Sequence, residues 1–377
     1  MNQIDLKKAL IIGGGFSGMA AAIQLSKLGI SVDMVEIDQG WRSYGAGITI
    51  GGPTLRALGT IGVLDEVMRQ GFCGDGLDLY TPDGQRIAQL PTPRVAGPDV
   101  PGGGAIMRPV LARILADATR TAGVDVRLGC TLTELQEDAE HVEVTFTDGE
   151  TRRYDLVIGA DGLYSETRQT LFPEAPVPKY TSQGVWRAVL PRPEQVVRPM
   201  MWLGHRVKTG LNPVSKDEMY LFVTEDRPTH TRLEDSQLAG LLSDLLSQFS
   251  APEMQNVRAQ LNESSQIVYR PLESLLLPRP WHVGRVVLIG DAVHATTPHL
   301  AAGAGIGIED AIVLASEIAR TSNLSEALTQ FENRRWERCR MVVENSGRLG
   351  ELEITGGDKE EHAQIMRDSM MALAQPL

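Results

Sequence analysis

The chain has 377 residues, 42% of them hydrophobic and 22% charged, which is enough sequence for two or three domain-sized cores and typical of a globular protein. Acidic residues outnumber basic ones by 48 to 36, and the net charge of −12 disfavours binding to nucleic acid or to anionic lipid. No apolar run approaches membrane-spanning length, no signal-peptide pattern precedes the first strand, and Cys73, Cys130 and Cys339 lack metal-site or disulfide spacing. We therefore expect a cytoplasmic protein without a structural metal or a stable membrane insertion.

A short strand followed by a glycine-rich turn opens the chain, in the sequence ALIIGGGFSG at residues 9–18. The apolar run 9–12 predicts a strand that is buried on both faces. Apolar residues at helical spacing between Ser17 and Leu28 predict a helix, and residues 30–37 predict a second strand. This order of strand, helix and strand is the setting in which a G-x-G-x-x-G pattern binds a dinucleotide.

Each glycine of this turn has a separate predicted use. Gly13 permits the tight turn, Gly15 lets the backbone approach a pyrophosphate, and Gly18 lets the helix pack closely on the strand. The N-terminal amides of the helix face the phosphates, and Glu36, at the end of the second strand, accepts hydrogen bonds from ribose hydroxyls. We therefore predict an adenine dinucleotide here, with a glycine turn that holds no ligand as the alternative. The residues expected around the nucleotide are Gly13, Gly15, Phe16, Ser17, Gly18 and Glu36.

The middle of the chain predicts further helices and a second sheet. Strand signals dominate between residues 181 and 225, and this stretch is predicted to form a separate sheet lobe. The sequence GRVVLIGDA at 284–292 then repeats the pattern of the first buried strand. Because nucleotide-type strands flank the sheet lobe on both sides, we expect two interleaved domains of an α/β protein. The other predicted elements are helices at 54–69, from Pro109, at 236–249 and at 252–261, and strands near 77–90, at 124–128, at 142–146 and at 155–162.

A second glycine-rich turn lies in the segment VVLIGDAVHATTPHLAAGAGIGIEDA, residues 286–311. Its apolar strand ends at Gly290 and Asp291, and the glycine-rich stretch 303–307 leads into a helix that is predicted to begin near Ile308. Asp291 is placed to hydrogen-bond a polyol, and a turn or cap aspartate is the alternative. Two phosphate-type loops in one chain indicate a large cofactor.

Three motifs, taken in chain order, resemble those of one family. They are GGGFSG with Glu36, the sequence DLVIGADGLYSETR at residues 155–168, and the turn at Gly290 and Asp291. Together they resemble the class A flavoprotein monooxygenases of the 4-hydroxybenzoate and salicylate hydroxylase superfamily. The resemblance implies an α/β fold in which a Rossmann-like FAD-binding domain is interleaved with a mixed β-sheet substrate domain, as in 4-hydroxybenzoate hydroxylase. The ranges that it implies are 1–75, 102–175 and 265–345 for the FAD-binding domain, 76–101 and 176–264 for the substrate-binding sheet domain, and 346–377 for a C-terminal helical tail.

The resemblance also implies how this chain holds FAD. Asp291 would hold the ribityl chain, and Asp161 with Arg168 would support the region of FAD and NAD(P)H. Arg108 matches an arginine that contacts the cofactor, and Arg42 is a looser match. For both of these arginines, a solvated charge beside a helix is the alternative. The remaining implied contacts are Glu36 at the FAD ribose, Gly290, and the helix start at Gly303, Ala304, Gly305 and Ile306.

Proteins of this type reduce FAD with NADH or NADPH, form a flavin hydroperoxide with O2 and hydroxylate an electron-rich ring. The resemblance therefore implies a small aromatic or heteroaromatic substrate. Pro298 matches the family's active-site proline, and His299 beside it is a candidate catalytic base. Lys208, in the sequence GHRVKTGLNPV at 204–214, is the candidate residue for binding a substrate anion. The alternatives are a histidine that bonds its own loop and an exposed basic strand edge.

Two other functions are compatible with the same motifs. One is flavin monooxygenase chemistry on a non-phenolic ring or a ketone, and the other is a non-catalytic FAD-binding redox sensor. The sequence after residue 345 predicts a helical surface element that forms a homodimer, with a solvated helix as the simpler alternative. Neither the identity of the substrate nor the choice between NADH and NADPH follows from the sequence.

Overall fold

The computed structural model describes residues 6–43, 45–263 and 265–377, which form a mostly parallel sheet, a large mixed sheet and two small sheets. The strands are β1 (Lys8–Ile12), β2 (Ser31–Glu36), β3 (Gly47–Gly51), β4 (Phe72–Gly74), β5 (Leu77–Tyr80), β6 (Arg86–Leu90), β7 (Gly103–Met107), β8 (Asp125–Leu128), β9 (Leu132–Glu137), β10 (Val142–Phe146), β11 (Thr151–Tyr154), β12 (Leu156–Gly159), β13 (Lys179–Pro191), β14 (Met200–Leu203), β15 (Val207–Pro213), β16 (Glu218–Asp226), β17 (Ile267–Ser274), β18 (His282–Val283) and β19 (Val286–Leu288). The helices are α1 (Phe16–Lys27), α2 (Gly52–Ile61), α3 (Leu64–Gln70), α4 (Arg108–Thr121), α5 (Glu166–Leu171), α6 (Asp235–Leu246), α7 (Pro252–Gln260), α8 (Asp291–His294), α9 (Gly303–Arg320), α10 (Leu324–Thr355) and α11 (Lys359–Ala374), with a 3-10 helix at Pro298–Leu300.

The mostly parallel sheet has the strand order β18-β19-β12-β1-β2-β8, in which β18 runs antiparallel and the other neighbours pair in parallel. Its central strand, β1, is buried on both faces. Ile11 belongs to the core that includes α1 and α9, whereas Leu10 and Ile12 pack with Val144 and Phe146 of the small antiparallel sheet β11-β10-β9. Burial on both faces explains the unbroken apolar run from which the strand is predicted.

The helix predicted at 54–69 is two helices in the structure. The first, α2, ends at Ile61 because Gly62 takes a left-handed conformation (φ 93°) and caps it. The second, α3, begins at Leu64. The single-helix prediction was wrong because the apolar spacing continues across Gly62, although the left-handed conformation of this glycine ends the first helix.

The prediction that a helix begins near Ile308 is also wrong, because α9 begins earlier, at Gly303. Glycine has a low helix propensity, which argues for a loop, but tertiary packing overrides it here. A side chain at Gly305 would collide with Thr54 Oγ1 of α2, and one at Gly307 would collide with Ser17 Oγ of α1. The glycines therefore let the first turns of α9 lie directly against both helices.

The large sheet has the strand order β17-β13-β16-β15-β14-β5-β6, and its two faces have different environments. One face carries Trp186 and Leu221 and packs against α6 and α7. Because successive side chains alternate, Arg187 and Tyr220 point to the opposite face, which we call the open face. Part of the open face packs against the small sheet β3-β7-β4, where Tyr220 meets Ala105. The open face is thus turned towards β7, which leads directly into α4 at Arg108.

The C-terminal helices hold the two large sheets together. α10 passes without a break through residue 346, where the sequence predicts the start of a separate tail, and it packs on α9, the 3-10 helix and β13. The last carbonyls of α11 accept hydrogen bonds from Arg56 of α2 and Arg338 of α10, and these cations stabilise the end of the helix. No helix in the described part of the chain is both long and apolar enough to cross a membrane.

Candidate active site

The first glycine-rich turn leaves room for a ligand at one specific point. Gly13 has a φ of 103°, and a Cβ on it would collide with Ala160 O. A Cβ on Gly18 would collide with Gly13 O, whereas a Cβ on Gly15 would meet no atom within 4 Å. The helix that follows has neither a side-chain cap nor an acidic residue in its first turn. Its N-terminal amides, including those of Phe16 and Ser17, are therefore available to an anion beside Gly15.

Glu36 organises this turn from the end of β2. Its Oε2 accepts a hydrogen bond from the Gly14 amide at 2.8 Å, and its Oε1 accepts one from the Asp38 amide at 2.8 Å. The indole of Trp41 donates to Gly14 O at 2.8 Å and so lies across the turn. Sequence reasoning missed Trp41, because nothing in the local pattern shows where the loop after β2 folds.

Arg42 lies beside Asp38 in the structure. The two side chains form an ion pair of 3.0 Å, and the Arg42 side chain is 62% exposed. Hydrogen bonds from Arg42 lower the pKa of the Asp38 carboxyl to about 2. This placement agrees with the alternative of a solvated charge, and a contact between Arg42 and FAD stays a prediction.

The first and third motifs meet at Ser17. A Cβ on Gly290 or on Gly307 would collide with Ser17 Oγ, so both of these backbones approach the start of α1 closely. The neighbouring helix start at Gly303 has no side-chain cap and no acid in its first turn, and Gly303 and Ala304 remain partly exposed. Two uncapped helix N-termini, of α1 and α9, therefore border the same region.

The opposite charges of Asp291 and Arg108 interact in this region. Asp291 begins α8 and is exposed to the cleft, although the surrounding protein desolvates its carboxyl and raises its pKa. Arg108 begins α4, and its guanidinium lies 4.8 Å from the centre of the Phe16 ring. Each charge favours the ionised form of the other against desolvation. The carboxylate of the third motif, an arginine from the middle of the chain and the helix start of the first motif thus share one cleft.

The second motif supports the cleft from behind. Asp161 accepts hydrogen bonds from Ser165 Oγ at 2.5 Å and from the amide and hydroxyl of Thr167 at 3.0 and 2.9 Å. Arg168 donates to Ala292 O at 2.8 Å and is 1% exposed. Arg168 therefore joins the second motif to the third and presents almost no surface to a ligand. Ile306 is likewise 1% exposed and lies behind the start of α9.

Asp310 of α9 anchors the third motif and was not found by sequence reasoning. Its Oδ2 accepts hydrogen bonds from the Gly290 amide at 2.9 Å and from His294 Nε2 at 2.6 Å, and its Oδ1 accepts one from Arg335 Nε at 2.8 Å. The Asp310 carboxylate raises the pKa of His294 well above its ordinary value, despite burial. The signal in the sequence is a pair of acids, Glu309 and Asp310, inside the otherwise apolar stretch 303–315.

Cys339 lies close enough to His294 and Asp310 for the three to ligate one ion. The guanidinium of Arg335, however, contacts both Asp310 and Cys339 Sγ, the latter at 3.4 Å. An arginine therefore supplies the positive charge that this buried cluster requires. The cluster is explained as a structural charge network.

His299 and Lys208 are brought together by a glutamate from α10. Glu353 Oε1 accepts a hydrogen bond from Lys208 Nζ at 2.5 Å, and Glu353 Oε2 lies 3.3 Å from His299 Nε2. Glu353 Oε2 and His299 Nε2 are both buried, and neither has a hydrogen-bond partner among the described residues. Desolvation lowers the pKa of His299, whereas the Lys208 charge holds the pKa of Glu353 well below its usual range. Pro298, in contrast, is partly exposed at the start of the 3-10 helix.

The open face supplies the opposite wall of the cleft. Tyr220 contacts Thr49 Oγ1 through its hydroxyl, and Asn212 Nδ2 donates to the same Thr49 Oγ1 at 3.2 Å. The Tyr220 ring lies so close to Gly47 that a Cβ there would collide with it. Arg187 also points to this face, and its charge acts on both Tyr220 and Arg108. The open face therefore lies close to Arg108, the arginine beside the first glycine-rich turn.

The family model for the FAD binding domain matches residues 7–346. The chain belongs to this family. The 2-heptyl-3-hydroxy-4(1H)-quinolone synthase of Pseudomonas aeruginosa is 31% identical over 358 residues, which cover 91% of this chain and 90% of that relative. The 6-hydroxynicotinate 3-monooxygenase of Bordetella bronchiseptica is 30% identical over 347 residues and covers 88% of each chain. Klebsiella pneumoniae HpxO, in a crystal structure with FAD and uric acid, has a TM-score of 0.82 and 25% identity, covering 98% of this chain and 93% of HpxO.

Membership of the FAD binding domain family confirms several predictions together. The resemblance to class A flavoprotein monooxygenases, the hydroxylase-like α/β fold and FAD as cofactor are confirmed. The protein is therefore an oxidoreductase of the FAD-dependent monooxygenase class. Its own geometry fits FAD: the space beside Gly15, two uncapped helix N-termini and the exposed carboxylate of Asp291 provide room, phosphate donors and a hydroxyl acceptor.

Proposed function

We propose that the protein uses NADH or NADPH and O2 to hydroxylate a small heteroaromatic substrate, which binds between the glycine-rich motifs and the open face. One observation carries this proposal. Arg187 and Tyr220 point to the same face of the large sheet, and Tyr220 packs there against Ala105 of β7. The strand β7 leads directly into α4, whose first residue, Arg108, lies 4.8 Å from the ring of Phe16 at the first glycine-rich turn. The relatives favour a heteroaromatic ring, because a quinolone, hydroxynicotinate and uric acid all have one.

Separate parts of the chain would hold separate parts of FAD. The amides at the start of α1 would bind the pyrophosphate beside Gly15, and Glu36 would accept hydrogen bonds from the ribose. Asp291 would accept hydrogen bonds from the ribityl hydroxyls, and the start of α9 at Gly303 would stabilise negative charge on the flavin ring. Bound FAD, reduced by NADH or NADPH, supplies the chemistry that activates O2 for transfer of one oxygen atom to the ring.

The protein's own side chains would orient the substrate and exclude water. Tyr220 lies in a cluster with Ala46, Ala105 and Val214, and partly buried apolar side chains surround this cluster and would keep the reacting ring dry. Burial raises the pKa of Tyr220, so its phenol keeps its proton and can donate a hydrogen bond. The surrounding apolar side chains are Met107, Val189 and Phe222.

His299 and Lys208 act on the substrate only indirectly in this proposal. The His299 side chain is 1% exposed, and the Lys208 charge is balanced by Glu353 at 2.5 Å. Both residues would therefore position the 3-10 helix and the edge of the open face. Pro298 remains the candidate for contact with the substrate, because it is the partly exposed first residue of that helix.

The proposal is tested with protein saturated with FAD. Hydroxylated pyridines, quinolones and purines should be screened for faster oxidation of NADH and of NADPH, and any product should be analysed by mass spectrometry after reaction under 18O2. We expect at least one compound to accelerate oxidation and to gain one labelled oxygen atom. A redox sensor would instead retain FAD without any substrate-stimulated oxidation, and that outcome would contradict the proposal.

We also propose that the protein works in the reducing cytoplasm. Cys73, Cys130 and Cys339 are free thiols, which suits that compartment. Desolvation raises the pKa of Cys73 to about 11, so the least buried of the three is unreactive near neutral pH. A homodimer stays a prediction, which sedimentation of the FAD-bound protein tests directly.

A further inference from the structure

Arg187 occupies a defined place on the open face. It lies on β13 opposite Phe222 of β16 and Val268 of β17. Its diagonal neighbours on the same face are Tyr220 and Arg270, and such neighbours in a sheet lie about 7–8 Å apart. The residue is only partly exposed, so its charge is partly withdrawn from bulk water.

Arg187 has no counter-ion among the residues that the structure describes. In this part of the chain, Arg187 makes neither a hydrogen bond nor an ion pair. Arg270 donates one hydrogen bond, to the carbonyl of Tyr269 at 3.0 Å, and forms no ion pair with any described carboxylate. Lys208, another cation of the open face, is paired, because it lies against Glu353. An arginine that is withdrawn from water without a partner is costly unless a ligand supplies one.

The surroundings of Arg187 make an anion more favourable still. Desolvation lowers the pKa of Arg187, and the like charges of Arg108 and Arg270 lower it further. Of these three, Arg108 has a counter-charge in Asp291. The wall around Arg187 and Arg270 therefore carries an excess of positive charge, in a protein whose net charge is −12. A bound anion would relieve this repulsion.

We propose that Arg187, assisted by Arg270, binds an anionic substituent of the heteroaromatic substrate, with a carboxylate as the best match. A guanidinium offers two parallel N–H groups to the two oxygens of a carboxylate, which fixes the orientation of the ring as well as its position. The inference rests on the proposed function and deepens it, because it names the chemical class of the substrate. It also replaces Lys208 by Arg187 as the residue that recognises a substrate anion.

The test compares acids with their neutral amides. FAD-loaded protein is titrated, without NADH or NADPH, with 6-hydroxynicotinate and 6-hydroxynicotinamide, and with the corresponding pairs built on other hydroxylated pyridine and benzene rings. Binding is followed by the change in flavin absorbance and fluorescence. We expect the acid of at least one pair to bind at least tenfold more tightly than its amide. The same titrations are repeated with three variants: Arg187→Gln, Arg187→Lys and, as a control, Arg86→Gln, whose arginine is exposed on β6 of the same sheet.

Arg187→Gln should remove the preference for the acid, Arg187→Lys should keep part of it, and Arg86→Gln should keep all of it. Because Arg187 has no partner to lose, Arg187→Gln should retain FAD and the melting temperature of the parent. Equal binding of acid and amide in every pair, including the absence of binding by both at millimolar concentration, would overturn the inference. So would an acid preference that survives Arg187→Gln.

The two proposals can fail separately. If the acids bind selectively through Arg187 but none of them stimulates NADH or NADPH oxidation, the anion site stands and the proposed hydroxylation fails. If a neutral heteroaromatic compound is hydroxylated equally well by the parent and by Arg187→Gln, the hydroxylation stands and the anion site fails.

Discussion

Glu353 Oε1 lies 2.5 Å from Lys208 Nζ, and this ion pair joins the end of α10 to the open face of the large sheet. Both side chains are mostly buried, at 14% and 15% exposure. The other carboxylate oxygen of Glu353 faces His299 of the 3-10 helix, and His362 of α11 lies 3.4 Å from Oε1. One glutamate therefore connects four separate elements that border the cleft.

The first prediction concerns the energy of this ion pair. Lys208→Met and Glu353→Leu should each lower the free energy of unfolding by about 2–3 kcal/mol, because each leaves a mostly buried charge without its partner. The double variant should lose less than the sum of the two, by about 1–3 kcal/mol of coupling. Urea denaturation of all four proteins measures this cycle. Additive losses would show that the contact contributes nothing.

The second prediction concerns pH. The charge of Lys208 depresses the pKa of Glu353, whose ordinary value is 4.5. The stabilisation from ionised Glu353 is therefore fully present above the unfolded pKa and is lost as pH falls through the lower folded pKa. The stability difference between the parent and Glu353→Gln should be near its full size at about pH 5.5, above the unfolded pKa, and should shrink below about pH 4.5. Thermal melting across this range measures it, and a difference that persists unchanged at pH 3.5 would contradict the assignment.

The third prediction separates the roles of two glycines. A Cβ on Gly15 enters open space, and its φ of −74° suits any residue, so Gly15→Ala should leave the melting temperature of the apoprotein within about 2 °C of the parent. The same methyl group should weaken FAD binding by about tenfold or more, because it occupies the space proposed for the pyrophosphate. Fluorescence titration with FAD measures the loss. Gly18→Ala is the comparison: it should lower the stability of the apoprotein itself, because its Cβ collides with Gly13 O.

The fourth prediction concerns Asp310. Asp310→Asn removes the negative charge between His294 and Arg335, all of them fully or almost fully buried, and should cost about 3–5 kcal/mol of stability. The exposed Asp65→Asn change in the first turn of α3 is a control and should cost less than about 1 kcal/mol. Denaturant titration compares the two. Equal stability of both variants would show that the buried charge network is dispensable.

The parts of the candidate site that could be predicted are those whose residues lie close together in the sequence. The turn at Gly13, Gly15 and Gly18, and the acid Glu36 that follows it, are close in sequence, and each has one physical use. The boundaries of α9 were not predictable, because packing of Gly305 and Gly307 against distant side chains outweighs their low helix propensity. Lys208 was recognised as a cation, but its partner lies 145 residues away in the chain.

The sequence by itself determined the class of cofactor, the α/β fold and the order of the three motifs, because these depend on residues that are neighbours in the chain. Only the tertiary structure decided which charges are balanced and which are left for a ligand. Lys208 and Arg187 are both basic residues in strands, and no local pattern distinguishes them. Folding brings a carboxylate to one and leaves the other facing the cleft, because pairing of charges depends on which elements pack together and not on composition.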